Sequence, residues 1–158
     1  MHKLLVITII ILCLGACVPG HNDYSDFKNV SVDGWAYNDT ICFVPEIGDS
    51  VATGVLSIAL RHNNNYIYSN IWLEASFNIN DSVIKRDTIN IELADIYGRW
   101  HGKGIGTSFQ LELPINAPHI IEPHQPIIIR HIMRVDTLQG IEQIGIIFQE
   151  NEYAESPI

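Results

Sequence analysis

The sequence predicts an all-β domain: an antiparallel β-sandwich of about seven or eight strands, either immunoglobulin-like or jelly-roll-like. Two observations support this fold class. Apolar and polar residues alternate with a period of two in several segments, and clusters of Asn, Asp, Gly and Pro separate those segments. No segment keeps a helical period for long. Because each strand has one apolar face, two sheets must pack against each other to bury these faces.

The clearest strand runs from Ile71 to Ile79, where Ile, Leu, Ala and Phe alternate with Trp, Glu, Ser and Asn. A first strand is expected around Val30 and Val32. The sandwich domain is therefore assigned to 28–150, and the acidic tail 151–158 is expected to fray. Five further segments show strand patterns: Leu56–Leu60, Thr88–Leu93, Ser108–Leu113, Ile127–Met133 and Ile144–Phe148.

The first 16 residues have the layout of a secretory signal peptide. A basic start is followed by the apolar run Leu4–Leu14, which at about 17 Å as a helix is too short to cross a bilayer. The sequence Leu-Gly-Ala-Cys then ends at Cys17 and resembles a bacterial lipobox. We therefore predict a lipoprotein signal peptide over 1–16, with palmitate-type acylation of Cys17 and a lipidated tether over 17–27. The alternative is an ordinary signal peptide followed by a chance cysteine.

Charge and cysteine content argue against a nucleic-acid partner and against an internal disulfide. The chain has 18 acidic and 9 basic residues; losing Lys3 with the signal peptide leaves 8 basic residues and a net charge of −10. An acidic surface repels nucleic acid, so no nucleic-acid partner is expected. If Cys13 is cleaved off and Cys17 is acylated, only Cys42 remains. It is expected to be a buried, inert thiol, and no internal disulfide can form.

The segment Gly98–Gly106 superficially resembles a phosphate-binding loop. A P-loop has four residues between its first glycine and Gly-Lys, whereas three precede Gly102-Lys103 here, and no helix is expected to follow. The glycines therefore predict a wide turn or bulge between strands. Its side chains could still form a contact surface, namely Arg99, Trp100 and Lys103.

The segment from Leu60 to Leu73 is rich in Asn and aromatic residues, a composition typical of adaptable recognition surfaces. The alternative is a structured hairpin loop that packs over Trp72. Whether this loop and the glycine-rich one share an end of the sandwich depends on the strand order. Together the two loops supply the candidate interaction surface: Arg61, Tyr66, Tyr68, Trp72, Arg99, Trp100 and Lys103.

No catalytic or metal site is predicted, and no cofactor. His101, His119, His124 and His131 could meet in space, but the prolines between 118 and 126 exclude the helix on which a zinc-peptidase motif depends. No serine nucleophile elbow or defensible carboxylate pair is present. The alternative function is binding, or hydrolysis, of a glycan or other small ligand, because sugar rings stack on aromatic faces. It requires three of the candidate rings (Tyr66, Tyr68, Trp72, Trp100) to line one concave pocket beside a carboxylate pair.

Several blocks in a fixed order carry a family resemblance. They are Trp35, Asp39 and Phe43; Leu60-Arg61 with the Asn-rich loop and Tyr68-Ser69-Asn70; Asp87-Thr88; Glu92-Leu93-Ala94-Asp95; Gly98-Arg99-Trp100; Gly102-Lys103-Gly104 and Gly106; Met133-Arg134; Leu138, Gly140-Ile141 and Ile144-Gly145. Over nearly the whole mature length the chain resembles the gliding-motility lipoprotein GldH family of the Bacteroidetes. It departs from the family pattern at His62 and over 118–126.

The resemblance implies a lipid-anchored accessory of the gliding machinery, a system linked to type IX secretion, with envelope proteins as partners. The family has no known enzymatic activity or cofactor, so the resemblance supplies no catalytic residue, and relatives also occur in bacteria that do not glide. Val18 follows Cys17 where an inner-membrane retention signal would have Asp. The expected location is therefore the outer membrane, facing the periplasm.

Overall fold

A computed structural model of the protein describes residues 23–48, 51–79, 83–115 and 118–151. The predicted signal peptide, Cys17 and nearly all of the predicted acidic tail lie outside these ranges. No helix among the described residues is long and apolar enough to cross a membrane. The described chain contains twelve β-strands: β1 Tyr24–Asn29, β2 Trp35–Ala36, β3 Ile41–Phe43, β4 Ala52–Asn63, β5 Asn70–Ile79, β6 Val83–Glu92, β7 Lys103–Ile105, β8 Ser108–Pro114, β9 His119–Ile121, β10 Ile127–His131, β11 Thr137–Leu138 and β12 Ile141–Glu150.

The predicted antiparallel β-sandwich is confirmed. One sheet has the order β1-β12-β4-β8-β7, with β9 also paired to β4, and the other has the order β3-β10-β5-β6. β2 and β11 form a separate two-stranded ribbon. The expected count of seven or eight strands was too low, because five of the twelve contain only two or three residues. Such short strands cannot display a period-two pattern.

The core lies between the two sheets. β4 and β12 contribute Leu56, Ile58, Leu60 and the apolar face of 144–148, and the opposite sheet contributes residues of β5 and β10. These side chains are essentially inaccessible to solvent. Their alternation along each strand is the pattern seen in the sequence, since successive side chains of a strand point to opposite faces.

β1 corrects the predicted boundary between tether and domain. Tyr24–Asn29 pairs antiparallel with β12, so residues 24–27, assigned to the tether, belong to the sheet. Conversely, Val32, expected in a first strand, is 97% exposed. The strand escaped prediction because β1 lies at the edge of its sheet and most of its side chains are exposed. The ring of Phe27 covers Gly145, where a methyl group would meet the ring.

Cys42 also differs from its prediction, because its thiol is exposed rather than buried. In β3 the side chain of Phe43 points into the core, so its neighbour Cys42 points to the outer face. The predicted turn in the glycine-rich segment is confirmed: Gly98 and Gly102 have positive φ, and the chain continues into strand β7 rather than a helix.

The strand register assigns the two ends of the sandwich. Tyr24 is level with Phe148, which is level with Leu56 of β4. β4 then continues for seven residues to Asn63, about 24 Å along the strand. The chain therefore enters the domain at one end, and the β4–β5 loop lies at the other. We call the latter the distal end.

Candidate functional site

The two loops predicted from sequence lie together at the distal end. The backbone N–H groups of Leu93 and Ala94 both donate to Ser69 O, at 2.7 and 2.9 Å. Trp100 Nε1 donates to Asn64 Oδ1 at 3.1 Å. We call residues 63–70 and 93–102 the distal cap. The strand order, which the sequence does not supply, thus places both candidate loops in one surface.

An aromatic cluster supports the cap from below. The ring of His62 lies 4.5 Å from that of Trp100, 5.8 Å from Tyr66 and 5.6 Å from Phe109, measured between centroids. Tyr66 is only 2% exposed, and its hydroxyl donates to Asn70 O at 2.7 Å. Burial raises the pKa of this hydroxyl. Tyr66 was predicted to be part of an interaction surface, but the structure places it in the core, where a partner cannot reach it.

A turn held by Asp95 forms the exposed tip of the cap. The Asp95 carboxylate accepts hydrogen bonds from the backbone N–H groups of Tyr97 and Arg99, both at 2.9 Å, and from Arg99 Nε at 2.7 Å. The backbone bond from Arg99 is the main cause of the lowered pKa of Asp95. The Arg99 guanidinium lies 5.4 Å from the centre of the Tyr97 ring. The turn is thus held in one conformation by its own hydrogen bonds.

This turn presents apolar side chains to solvent. Ile96 is 88% exposed and Tyr97 77%, and Ile67 in the other loop of the cap is 80% exposed. Neither loop is anchored by these three side chains, since the contacts that hold the cap come from Asn64, Ser69, Asp95 and Trp100. Exposed apolar groups on a rigid support are typical of a protein contact site.

A groove of about 590 Å³ borders the cap. It forms because β10 ends at His131, opposite Leu73, whereas β5 reaches beyond that point to its first residue, Asn70. The residues that follow β10 line the far wall of the groove. Trp72 is 41% exposed there, and its backbone N–H donates to Met133 Sδ at 3.3 Å. We call this the distal groove, and its lining comprises Tyr68, Asn70, Trp72, Ile132, Met133, Arg134 and Val135.

The remaining predicted surface residues have different roles. Trp72 and Tyr68 line the distal groove, and Trp100 is half-buried between the loops. Lys103 is exposed in β7, and Arg99 is exposed but paired with Asp95. Arg61 donates to Gln110 across the β4–β8 pair at 2.9 Å, so it supports the sheet.

Sequence reasoning missed the large apolar residues that the distal end exposes, Ile67, Ile96 and Tyr97, and also Met133 and Arg134. A signal was present in Asp95-Ile96-Tyr97-Gly98, because two adjacent apolar residues inside a turn have no strand face to bury them. Met133 and Arg134 gave no comparable signal. They lie about 60 residues from Trp72 in sequence, and only the fold brings them together.

The glycan hypothesis required three rings in one pocket beside a carboxylate pair. Tyr68 and Trp72 share the distal groove, but Tyr66 and Trp100 belong to the aromatic cluster, and the groove lining contains no carboxylate. The four histidines do not converge either: His131 packs on Trp35, whereas His119 lies by Phe77. Within the described ranges no group of three His, Cys, Asp or Glu side chains could hold a metal ion.

Comparison with known proteins agrees with the resemblance found in the sequence. Residues 22–147 match the sequence model of a family described as GldH lipoprotein. The chain is 22% identical over 136 residues to the gliding motility lipoprotein GldH of Flavobacterium johnsoniae, an alignment that covers 82% of this chain and 85% of that protein. The family match spans most of the chain and includes the distal cap and groove. This chain belongs to the GldH lipoprotein family, a family linked to gliding motility.

Proposed function

We propose that this protein is a lipid-anchored, non-enzymatic accessory of the gliding machinery and its linked type IX secretion apparatus. It acts by holding its distal cap against envelope proteins. The observation that carries this proposal is the position of Ile96 and Tyr97: they are exposed on a hydrogen-bonded turn at the distal end, away from Tyr24, where β1 begins. The first described strand begins at Tyr24, on the far side of the sandwich from the cap.

Acylation of Cys17 accounts for the anchoring. A single acyl chain binds a bilayer only marginally, at about 0.8 kcal/mol per buried methylene, whereas two or three chains on one cysteine hold a protein stably. Val18 gives no inner-membrane retention signal, so the anchor is assigned to the outer membrane with the domain in the periplasm.

The chemistry of the distal end supports binding rather than catalysis. The carboxylate of Asp95 accepts three hydrogen bonds within its own turn, and Asn64 Oδ1 accepts a hydrogen bond from Trp100. What the cap offers to a partner is apolar area with Arg99 beside it. Aromatic residues and arginine are enriched among residues that dominate binding energy.

Replacement of the chromosomal gene by variants tests the proposal. Ile96→Asp places a charge on the exposed tip, and Ile120→Asp is the matched control, since Ile120 is a 67% exposed isoleucine on β9 near the opposite end. We expect Ile96→Asp and Cys17→Ala to impair colony spreading and delivery of type IX cargo to the cell surface. Ile120→Asp should behave like the parent, with equal amounts of each protein in the cells.

Two results would contradict the proposal. Normal spreading and cargo delivery in the Cys17→Ala strain would show that the function does not require the lipid anchor. Equal behaviour of the Ile96→Asp and Ile120→Asp strains would show that the cap is not the contact surface.

A further inference from the structure

The geometry points to the distal groove as a binding site for a partner-protein segment that carries Asp or Glu next to an aromatic or aliphatic side chain. This inference rests on the proposed function and names the chemistry of one contact. Its surface is separate from the tip of the cap, because Ile67, Ile96 and Tyr97 do not line the groove.

Arg134 supplies the charge that selects such a segment. Its side chain is exposed in the groove wall and makes no hydrogen bond or ion pair with any residue that the structure describes. In contrast, Arg99, Arg130 and Lys28 each pair with a carboxylate. The protein as a whole is acidic, with a formal net charge of −9. An unpaired guanidinium in a groove that lacks carboxylates is therefore a local site for an anionic group.

A second donor lines the same groove. The backbone N–H of Trp72 donates to the sulfur of Met133, and a thioether is a weak acceptor. It lies where β5 extends beyond β10, since the β5–β10 pairing begins at Leu73. An oxygen of an incoming segment makes a stronger hydrogen bond to this N–H than the thioether does. Arg134 and the Trp72 amide together thus favour a ligand rich in acceptor oxygens.

The apolar part of the groove selects a protein segment rather than a sugar. Trp72, Met133 and Val135 offer an aromatic face, a flexible thioether and an aliphatic side chain. Methionine adapts to varied apolar partners, and sulfur packs well against aromatic rings. The Asn70 amide donates one of its two N–H groups to Asn90 Oδ1 at 2.7 Å, so it offers a sugar hydroxyl a single donor. A cavity of about 590 Å³ accommodates a few side chains of a peptide.

The three tryptophans of the chain provide the readout. In protein labelled with ¹⁵N at the indole nitrogen, each tryptophan gives one peak, and Trp72→Phe identifies that of Trp72. The probes are a synthetic peptide with phenylalanines alternating with aspartates, and a twin with asparagines in place of the aspartates. We expect the acidic peptide, at about millimolar concentration, to move the Trp72 peak, with an effect that weakens as salt rises. The peak of buried Trp35 should stay in place.

Arg134→Gln should weaken binding of the acidic peptide about tenfold, because a charge-assisted hydrogen bond is lost. Arg86→Gln is the matched control, since Arg86 is exposed on β6, away from the groove lining, and it should leave binding unchanged. The inference is overturned if neither peptide moves the Trp72 peak, if both move it equally, or if the two arginine variants behave alike. It is also overturned if a linear oligosaccharide moves the peak and the acidic peptide does not. None of these results would affect the Ile96→Asp test of the cap, so the two proposals fail separately.

Discussion

Two histidines with no solvent exposure predict that the domain loses stability in mild acid. In His62 the Nδ1–H group donates to Asn63 O at 3.4 Å, and in His131 the Nε2–H group donates to Trp35 O at 3.0 Å. The other ring nitrogen of each has no hydrogen-bond partner among the described residues. Protonation would place a charged N–H there without an acceptor. Burial therefore lowers the pKa of both imidazoles below the ordinary value of 6.5.

The sign and size of the effect follow from proton linkage. Below about pH 6.5 the unfolded chain binds a proton at each histidine, whereas the folded domain does not, so falling pH favours unfolding. Each histidine contributes a slope of about 1.4 kcal/mol per pH unit until the folded imidazole itself is protonated. Together they lower the free energy of unfolding by up to about 2.5 kcal/mol between neutral pH and about pH 5.5, a limit reached when both folded imidazoles stay neutral over that range. For a domain of this size the thermal midpoint should fall, by up to roughly 10 °C.

Carboxylates cannot produce a loss in this pH window. Partners lower the pKa of Asp26, Glu74 and Asp95 from ordinary values of 3.8, 4.5 and 3.8. The stability that these groups contribute is present above those values and is lost only at more acidic pH. A loss of stability that begins near pH 6.5 therefore results from protonation of histidine.

Thermal denaturation of the purified domain between about pH 7.5 and 5.5 is the assay. His62→Gln and His131→Gln should each reduce the pH slope, whatever they do to stability at neutral pH. His101→Gln is the control, because His101 is exposed, and it should keep the full slope. A midpoint that stays level across this range, or a His62→Gln variant with the parental slope, would refute the argument.

Two further predictions concern the residues that hold the cap. Tyr66→Ala should cost about 3–5 kcal/mol and lower the midpoint sharply, because it empties a buried aromatic site; a variant as stable as the parent would contradict the burial of this ring. Gly140→Ala should be clearly more destabilising than Gly98→Ala. Both glycines have positive φ, but of the two only Gly140 would bring an added Cβ against backbone, 2.2 Å from Tyr66 N. Urea titration of the two variants therefore separates the cost of this clash from the cost of positive φ. Equal losses of stability would show that the loop can move aside.

The sequence predicted the long strands because each shows period-two alternation over five or more residues. β5 is an example: Ile71, Leu73, Ala75 and Phe77 are all buried, and Trp72 between them is exposed. β1 could not be found in this way, because an edge strand with exposed side chains does not need alternation. The two-residue strands β2 and β11 exist only because the fold brings Trp35 and Leu138 together.

The candidate site was predictable in its loops but not in its residues. Tyr66 and Trp100 were selected because aromatic rings are common in interfaces, but the same rings also fill cores, and composition does not separate the two roles. The pairing of Trp100 with Asn64 depends on the β4–β8 register, which places Phe109 opposite His62. Such a register between strands far apart in sequence is decided by packing of the whole domain.

The contacts that build the distal end determine which substitutions can identify its partner. Tyr66, Trp100 and Gly140 hold the cap in place, so changing any of them alters folding and binding together. His62 lies under Trp100, and its protonation would loosen the same cluster. In contrast, Ile96 and Arg134 have exposed side chains, and neither belongs to the core cluster. Loss of function from Ile96→Asp or Arg134→Gln, with an unchanged thermal midpoint, would therefore report a lost contact, whereas loss from Tyr66→Ala would not.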